Sequence, residues 1–352
     1  MKQIDIKILI KNYNTKLAKR QPWYTIKALA GILIEEGFQV DIISDKNDIQ
    51  PNFKGVLIKV WSFKDIFYWK KKREYKLVYL LTFPFYKFNK IKSLNLHDFL
   101  SNFKGLYKII LVSFIPSSLI KCNLNRANAV ISISDNSYNF FGNSVKYLNF
   151  IPFIFDNWGD KIYEEKQKKS KDITIGYFGS PISTRGFSDL LMFYKYFNEK
   201  YTNTKLKLIT RIEREKLKNN EQNYLKIIND SNNVSVKSGF LDRAELADEL
   251  QELDYLVLPF KVVLSELPIV VLEALEFGIP LITTRESGIE SLITKNNINE
   301  VLFVENLGKS NYEEVIKFIM SNKNKVEFNI VKDSIININR ELISELKKIC
   351  QK

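Results

Sequence analysis

The sequence predicts an α/β protein of two successive units, each a parallel sheet covered by helices. Three observations carry this expectation. Short apolar runs alternate with stretches of helical period along most of the chain. At 352 residues the chain is long for a single core. A polar stretch at 156–170, DNWGDKIYEEKQKKS, interrupts the alternation once. The expected division is therefore a domain over 1–155, a linker over 156–170, a domain over 171–335, and a C-terminal helix over 336–352 packing back on the first domain.

In the first unit, Ile4 to Ile10 reads as a strand and Trp23 to Glu36 as an amphipathic helix. Gly37 suits the left-handed end of that helix. Strands follow at Gln39 to Ile43, Gly55 to Val60, Leu77 to Leu81 and Lys108 to Ser113. Ser117 to Asn125 reads as a helix, Asn128 to Ser134 as a strand, and a further helix begins near Asn136.

The second unit opens with a strand at Ile173 to Phe178 that ends at Gly179. Gly186 to Glu199 is helical. Leu206 to Thr210 and Val234 to Ser238 are strands, the latter ending at Gly239. Arg243 to Gln251 is a helix capped by Asp242. A strand then ends at Pro259, and a loop carries Ser265, Glu266 and Pro268. An apolar helix containing Glu273 stops at Gly278, and a strand spans Pro280 to Thr284. Val301 to Val304 is the last strand, and helices from Asn311 onward close the chain.

The formal net charge of +13 favours anionic partners: a phosphorylated substrate, a phospholipid surface or nucleic acid. The two cysteines, Cys122 and Cys350, form no CxxC or Cys/His cluster, so no zinc site or disulfide framework is expected. The N-terminal MKQIDIKILIKNYN lacks a signal peptide's apolar core, and no apolar run is long enough to span a membrane. A cytoplasmic protein is expected, with any membrane contact peripheral. The lone histidine, His97, sits in no recognisable motif and is assigned no role.

The candidate site gathers at strand ends. The loop GSPISTRG, Gly179 to Gly186, joins a strand to a helix, where backbone N–H groups and Arg185 favour an anion. Arg211, just after its strand, lies at the same edge, and two arginines there suit a diphosphate. Glu273 reads either as a carboxylate complementing its helix dipole or as an acceptor of two ribose hydroxyls. Glu266 reads either as a solvated loop acid or as a holder of sugar hydroxyls. The absence of a DxD motif leaves a metal-bridged diphosphate without obvious ligands, so neither metal nor cofactor is expected.

The run SELPIVVLEALEFGIPLITT resembles the nucleotide-sugar site of family-4 retaining glycosyltransferases, through Glu273-Ala274, Gly278 and Pro280. Gly288-Ile289-Glu290 resembles the glycine turn that follows. Gly179 with Arg185-Gly186 resembles the phosphate loop, and Gly239 and Leu253-Asp254 resemble strand and helix ends of that family. Asn128-Ala129-Val130, with Ser132 and Ser134, resembles the last strand of its acceptor domain. The resemblance implies the GT-B fold, two Rossmann-like domains facing a cleft. The first would bind a glycan, polysaccharide or lipid-linked acceptor, and the second the donor. It implies transfer with retention of anomeric configuration, independent of metal. Catalytic roles fall to Glu266, Arg185 and Arg211. Donor contacts fall to Gly179, Arg185, Gly186, Arg211, Gly239, Glu266, Ile269, Val270 and Glu273.

The chain departs from that pattern in three places. Ser265 occupies the position of the family's first glutamate, and Glu266 stands one residue later. Either the loop is one residue shorter and Glu266 does the work, or the first carboxylate is lost. Pro268 replaces a glycine and removes an N–H donor. Lys19-Arg20-Gln21-Pro22 stands where a glycine-rich loop is expected after the first strand. A non-catalytic binding protein or partner subunit on the same scaffold is the alternative reading. A sugar-nucleotide epimerase lacks its acid–base cluster, and a dinucleotide oxidoreductase lacks GxGxxG.

Residues 63–92 interleave aromatics with Lys and Arg. The parts at 67–73 and 83–92 suit an anionic membrane surface or a solvated basic face. Single-stranded nucleic acid is the least favoured partner.

Overall fold

Two parallel sheets organise the computed structural model, which describes residues 5–10, 23–67, 74–92, 94, 103–153, 172–210, 233–239, 241–321 and 325–351. Among the described residues each sheet has six strands. The first runs β2(Gln39–Ile43)-β1(Asp5–Leu9)-β3(Val56–Val60)-β4(Lys76–Leu80)-β5(Ala129–Ser132)-β6(Tyr147–Asn149). The second runs β12(Val301–Val304)-β11(Leu281–Thr284)-β10(Tyr255–Leu258)-β7(Ile173–Phe178)-β8(Thr204–Thr210)-β9(Val234–Ser238). This is the GT-B arrangement.

Near-continuous apolar runs explain the parallel strands, because helices cover both faces. Every residue of β5, β10 and β11 is buried. In the second sheet the chain winds from β7 outward to β9, then returns to pair β10 with β7. The connections on either side of β7 and β10 therefore diverge, and the carboxyl ends of these two strands frame a crevice. In the first sheet the same reversal falls at β1, between β2 and β3.

The helices of the first unit are α1(Trp23–Glu35), α2(Phe88–Lys92), α3(Phe103–Ser113), α4(Ser117–Leu124) and α5(Asp135–Phe141). Those of the second are α6(Phe187–Lys200), α7(Arg243–Gln251), α8(Ile269–Glu276), α9(Glu290–Lys295), α10(Tyr312–Ser321) and α11(Phe328–Gln351). Asp242 caps α7 through a reciprocal bond with Glu245.

One expected strand is corrected. Lys108 to Ser113 lies in helix α3, not in a sheet. Leu106, Ile109 and Val112 are buried while Tyr107 and Leu111 are exposed, which is a helical spacing. The short run KIILVS suits either element by composition, and the periodicity of the residues before it decides. The brief strand β6 escaped the sequence reading. The linker at 156–170, Lys19-Arg20-Gln21-Pro22, His97 and residues 68–73 lie outside the described residues.

Helix α11 begins on the second unit and ends on the first. Val331, Ile335, Leu342, Ile343 and Leu346 make its buried stripe. Asn339, on the same stripe, accepts from Ile151 N–H at 3.0 Å and donates to Ile151 C=O at 3.1 Å. Its last turns add the ion pair Lys347–Glu36 at 2.9 Å. No single helix among the described residues is long and apolar enough to cross a membrane.

Candidate active site

Strand β7 delivers the chain to Gly179, and the turn Ser183–Arg185 returns it to α6 through Gly186. Gly186 adopts φ +72°, and a Cβ there would stand 1.9 Å from the Pro259 carbonyl oxygen. Only glycine allows that left-handed conformation at that approach. The loop is thereby pressed onto the end of β10. Lys261 and Val262 N–H groups donate to Thr184 C=O at 3.0 and 3.2 Å, and the Lys261 ammonium pairs with Asp189 at 3.2 Å. The crevice between β7 and β10 is fixed from both sides.

Arg185 folds over this loop. A Cβ on Gly179 would lie 2.4 Å from the Arg185 Nη1 atom, so the missing side chain makes room for the guanidinium. The guanidinium carbon also sits 5.9 Å from the centre of the Phe260 ring. The N-cap of α6 is Gly186, which supplies no side-chain cap. A planar cation and a helix N-terminus thus flank the same loop, a combination suited to phosphate.

Gly239 belongs to the same edge. Its N–H donates to Thr210 C=O at 3.0 Å, as that of Gly179 donates to Ile209 C=O at 3.0 Å, so the ends of β7, β8 and β9 are tied in a row. Arg211, one residue beyond Thr210, lies outside the described residues. Across the crevice, α8 starts after Pro268 with no side-chain cap. Ile269, Val270 and Glu273 occupy its first two turns, Val270 buried and Glu273 half-buried. The structure therefore brings Gly179, Arg185, Gly186, Gly239, Ile269, Val270 and Glu273 to one edge of the sheet.

Glu266 has a different setting. It is fully buried, in a seam between the two domains. One carboxyl oxygen, Oε1, accepts from the Ser137 hydroxyl and from Ser132 Oγ at 3.4 Å, both from the first domain. Asn136 Nδ2 donates to the carbonyls of Glu266 and Glu286, each at 3.2 Å. Asp135 N–H donates to Gly288 C=O at 3.1 Å, and Ser291 N–H returns to Asp135 Oδ2 at 2.7 Å. Val263 N–H donates to the Tyr86 hydroxyl at 3.0 Å. Gly288, at φ +72°, would place a Cβ 2.6 Å from that of Ser134, so this turn is closed tightly on α5.

Burial dominates the electrostatics of the seam. It pushes the Glu266 carboxyl up to about 8, with hydrogen bonds from Ser137, Ser134 and Ser132 offsetting part of the rise. Burial likewise raises Tyr86 well above the usual tyrosine range, and the adjacent Glu286 carboxylate adds to it. In the Glu266 loop and the turn after β11, the buried Ser265 Oγ, Glu266 Oε2 and Ser287 Oγ have no hydrogen-bond partner among the described residues. Unpaired polar atoms at such depth are costly and mark a place where a ligand group or an ordered water belongs. Asn136 and Ser137 lie 130 and 129 positions from Glu266, and Tyr86 177 from Val263, so none gave a local signal; Ser132 and Ser134 stood in the strand that carried the resemblance.

Among the described residues no group of three His, Cys, Asp or Glu side chains is placed to hold a metal ion.

Residues 160–332 match the family of glycosyl transferases group 1. No curated protein matches the sequence significantly. Solved structures share the fold. The glycosyltransferase from Rickettsia africae superposes with a TM-score of 0.61 at 12% identity, covering 99% of each chain. WaaG, a glycosyltransferase involved in lipopolysaccharide biosynthesis, gives 0.58 at 14% identity, over 98% of this chain and 99% of its own. Anabaena HepE, solved in complex with UDP and glucose, gives 0.54 at 12% identity over 99% of each.

Proposed function

From the match of residues 160–332 to the glycosyl transferases group 1 family, we propose that this chain moves a sugar from a nucleotide-sugar donor to an acceptor with retention of anomeric configuration. The observation that carries this reading is the convergence of Gly179, Arg185, Gly186, Gly239 and Glu273 at the β7–β10 crevice. Arg185, Arg211 and the N-terminus of α6 at Gly186 bind the diphosphate and stabilise the charge that grows on it as it leaves, without metal. Glu273 accepts hydrogen bonds from the ribose hydroxyls, with Ile269 and Val270 packing beside it. Glu266 and Ser265 orient the sugar once the seam admits it. The bond from the anomeric carbon to the diphosphate oxygen breaks, and its electron pair stays on that oxygen. The acceptor hydroxyl attacks the same face and passes its proton to the departing phosphate, so no side-chain base is assigned. Closing of the domains over the reacting groups excludes water.

The first domain takes the acceptor, a glycan, polysaccharide or lipid-linked molecule. Its basic, aromatic segment 83–92 provides peripheral contact with an anionic membrane at the cytoplasmic side.

A thermal-shift screen with UDP-, GDP- and ADP-sugars tests the reading, since a bound donor raises stability by mass action. UDP-sugars come first because the Anabaena neighbour holds UDP. One donor should raise the melting temperature of the native protein and leave Arg185→Ala unmoved. No shift with any donor would favour the second reading, a non-catalytic binding subunit. That reading has its own support: Glu266 is sealed against Ser137 and not displayed in an open cleft.

A further inference from the structure

At the mouth of the seam lies a cavity of about 230 Å³, bounded by the segment before and within α2, by α5, and by the turn after β11. Lys87, Lys90 and Arg285 line it against a single carboxylate, Glu286. Lys90 pairs with Glu286 at 2.6 Å, and Arg285 pairs with Glu290 at 3.0 Å while remaining largely exposed. The cavity lining therefore carries an excess of positive charge. Phe85 and Phe140, with ring centres 5.7 Å apart, supply an apolar wall. Asn136 stands in the lining and also bonds the Glu266 carbonyl, so the cavity lies one side chain away from the sugar-facing loop.

Helix α2 has a second neighbour. Phe88, between the two lysines, packs its ring 4.9 Å from that of Phe114, and both rings face solvent, 44% and 64% exposed. Leu111 and Leu119 are also exposed nearby in sequence, on α3 and α4. A basic cavity beside an uncovered aromatic face matches a molecule with an anionic head and an apolar tail, held where water meets lipid.

We propose that the Lys87–Lys90–Arg285 cavity holds the phosphate of a lipid acceptor, while Phe88 and Phe114 seat in the bilayer that presents it. This deepens the proposed function and rests on its placing of the acceptor on the first domain.

The test is co-sedimentation with phosphatidylcholine vesicles containing phosphatidic acid, compared with phosphatidylcholine alone. The intact protein should pellet with the first and not with the second. Lys87→Ala with Arg285→Ala should weaken binding about tenfold or more, and Phe88→Ser with Phe114→Ser should abolish it. Both double variants should keep the donor-induced thermal shift measured without vesicles, which shows that they fold and separates this proposal from the donor reading. No binding to phosphatidic acid vesicles would overturn it, as would binding indifferent to either double variant. A thermal shift with inorganic phosphate that the Lys87/Arg285 variant abolishes, without vesicle binding, would assign the cavity to a free phosphate and equally overturn the lipid.

Discussion

The Ser137 hydroxyl donates to the Glu266 carboxyl across the seam, joining residues 129 positions apart and two domains. Burial of this carboxyl makes closure pH-dependent. Burial pushes the Glu266 carboxyl from its ordinary 4.5 up to about 8, and opening of the seam should let it fall back. The closed form therefore binds more protons between these values, so closure is strongest at low pH. It weakens as pH rises through that window and levels off above about 8. Small-angle scattering across the window should show the protein expanding as pH rises. Glu266→Gln, which keeps the shape and cannot ionise, should remain compact throughout. An equal expansion in the variant would contradict the assignment.

Gly288→Ala should open the same seam by sterics. The new Cβ would meet Ser134 at 2.6 Å in a left-handed turn. Strain and overpacking together should cost about 2–4 kcal/mol. Hydrogen exchange should quicken at 134–137 and 288–291, leaving the central strands protected. Gly37→Ala is the control, because it shares the left-handed backbone but has nothing within 4 Å. It should cost only about 1 kcal/mol and leave the seam unchanged.

Asn339→Leu should detach α11 from the first domain. The change strips both Ile151 main-chain groups of their partner. Urea unfolding should show a loss of about 2–4 kcal/mol. Asn339→Asp keeps the acceptor for Ile151 N–H and should lose less. Equal stability of all three proteins would refute the helix's role as a strap.

Much of the fold was legible because its strands are short, apolar and regularly spaced between helices. Gly37, Gly186 and Gly288 announced their turns, and Asp242 its helix. The segment 108–113 misled because six apolar-rich residues suit either a strand or a buried helix. The gathering of Gly179, Arg185, Gly239 and Glu273 at one edge was equally readable, since each lies in a loop or helix that follows a strand in sequence. The seam was not. Glu266 meets Ser132, Asn136 and Ser137 only after both domains have formed, and no spacing records that. The one-residue displacement of Glu266 from the family's position was visible, but its burial was not.

The proposed donor site rests on Arg185 and Glu273 at the β7–β10 crevice. Donor turnover, measured with the sugar nucleotide that gives the largest thermal shift, tests it most directly. Arg185→Ala and Glu273→Ala should each lower kcat/KM by about a hundredfold or more, as expected for loss of charged contacts to the leaving diphosphate and the ribose. Undiminished turnover in both variants would contradict the account.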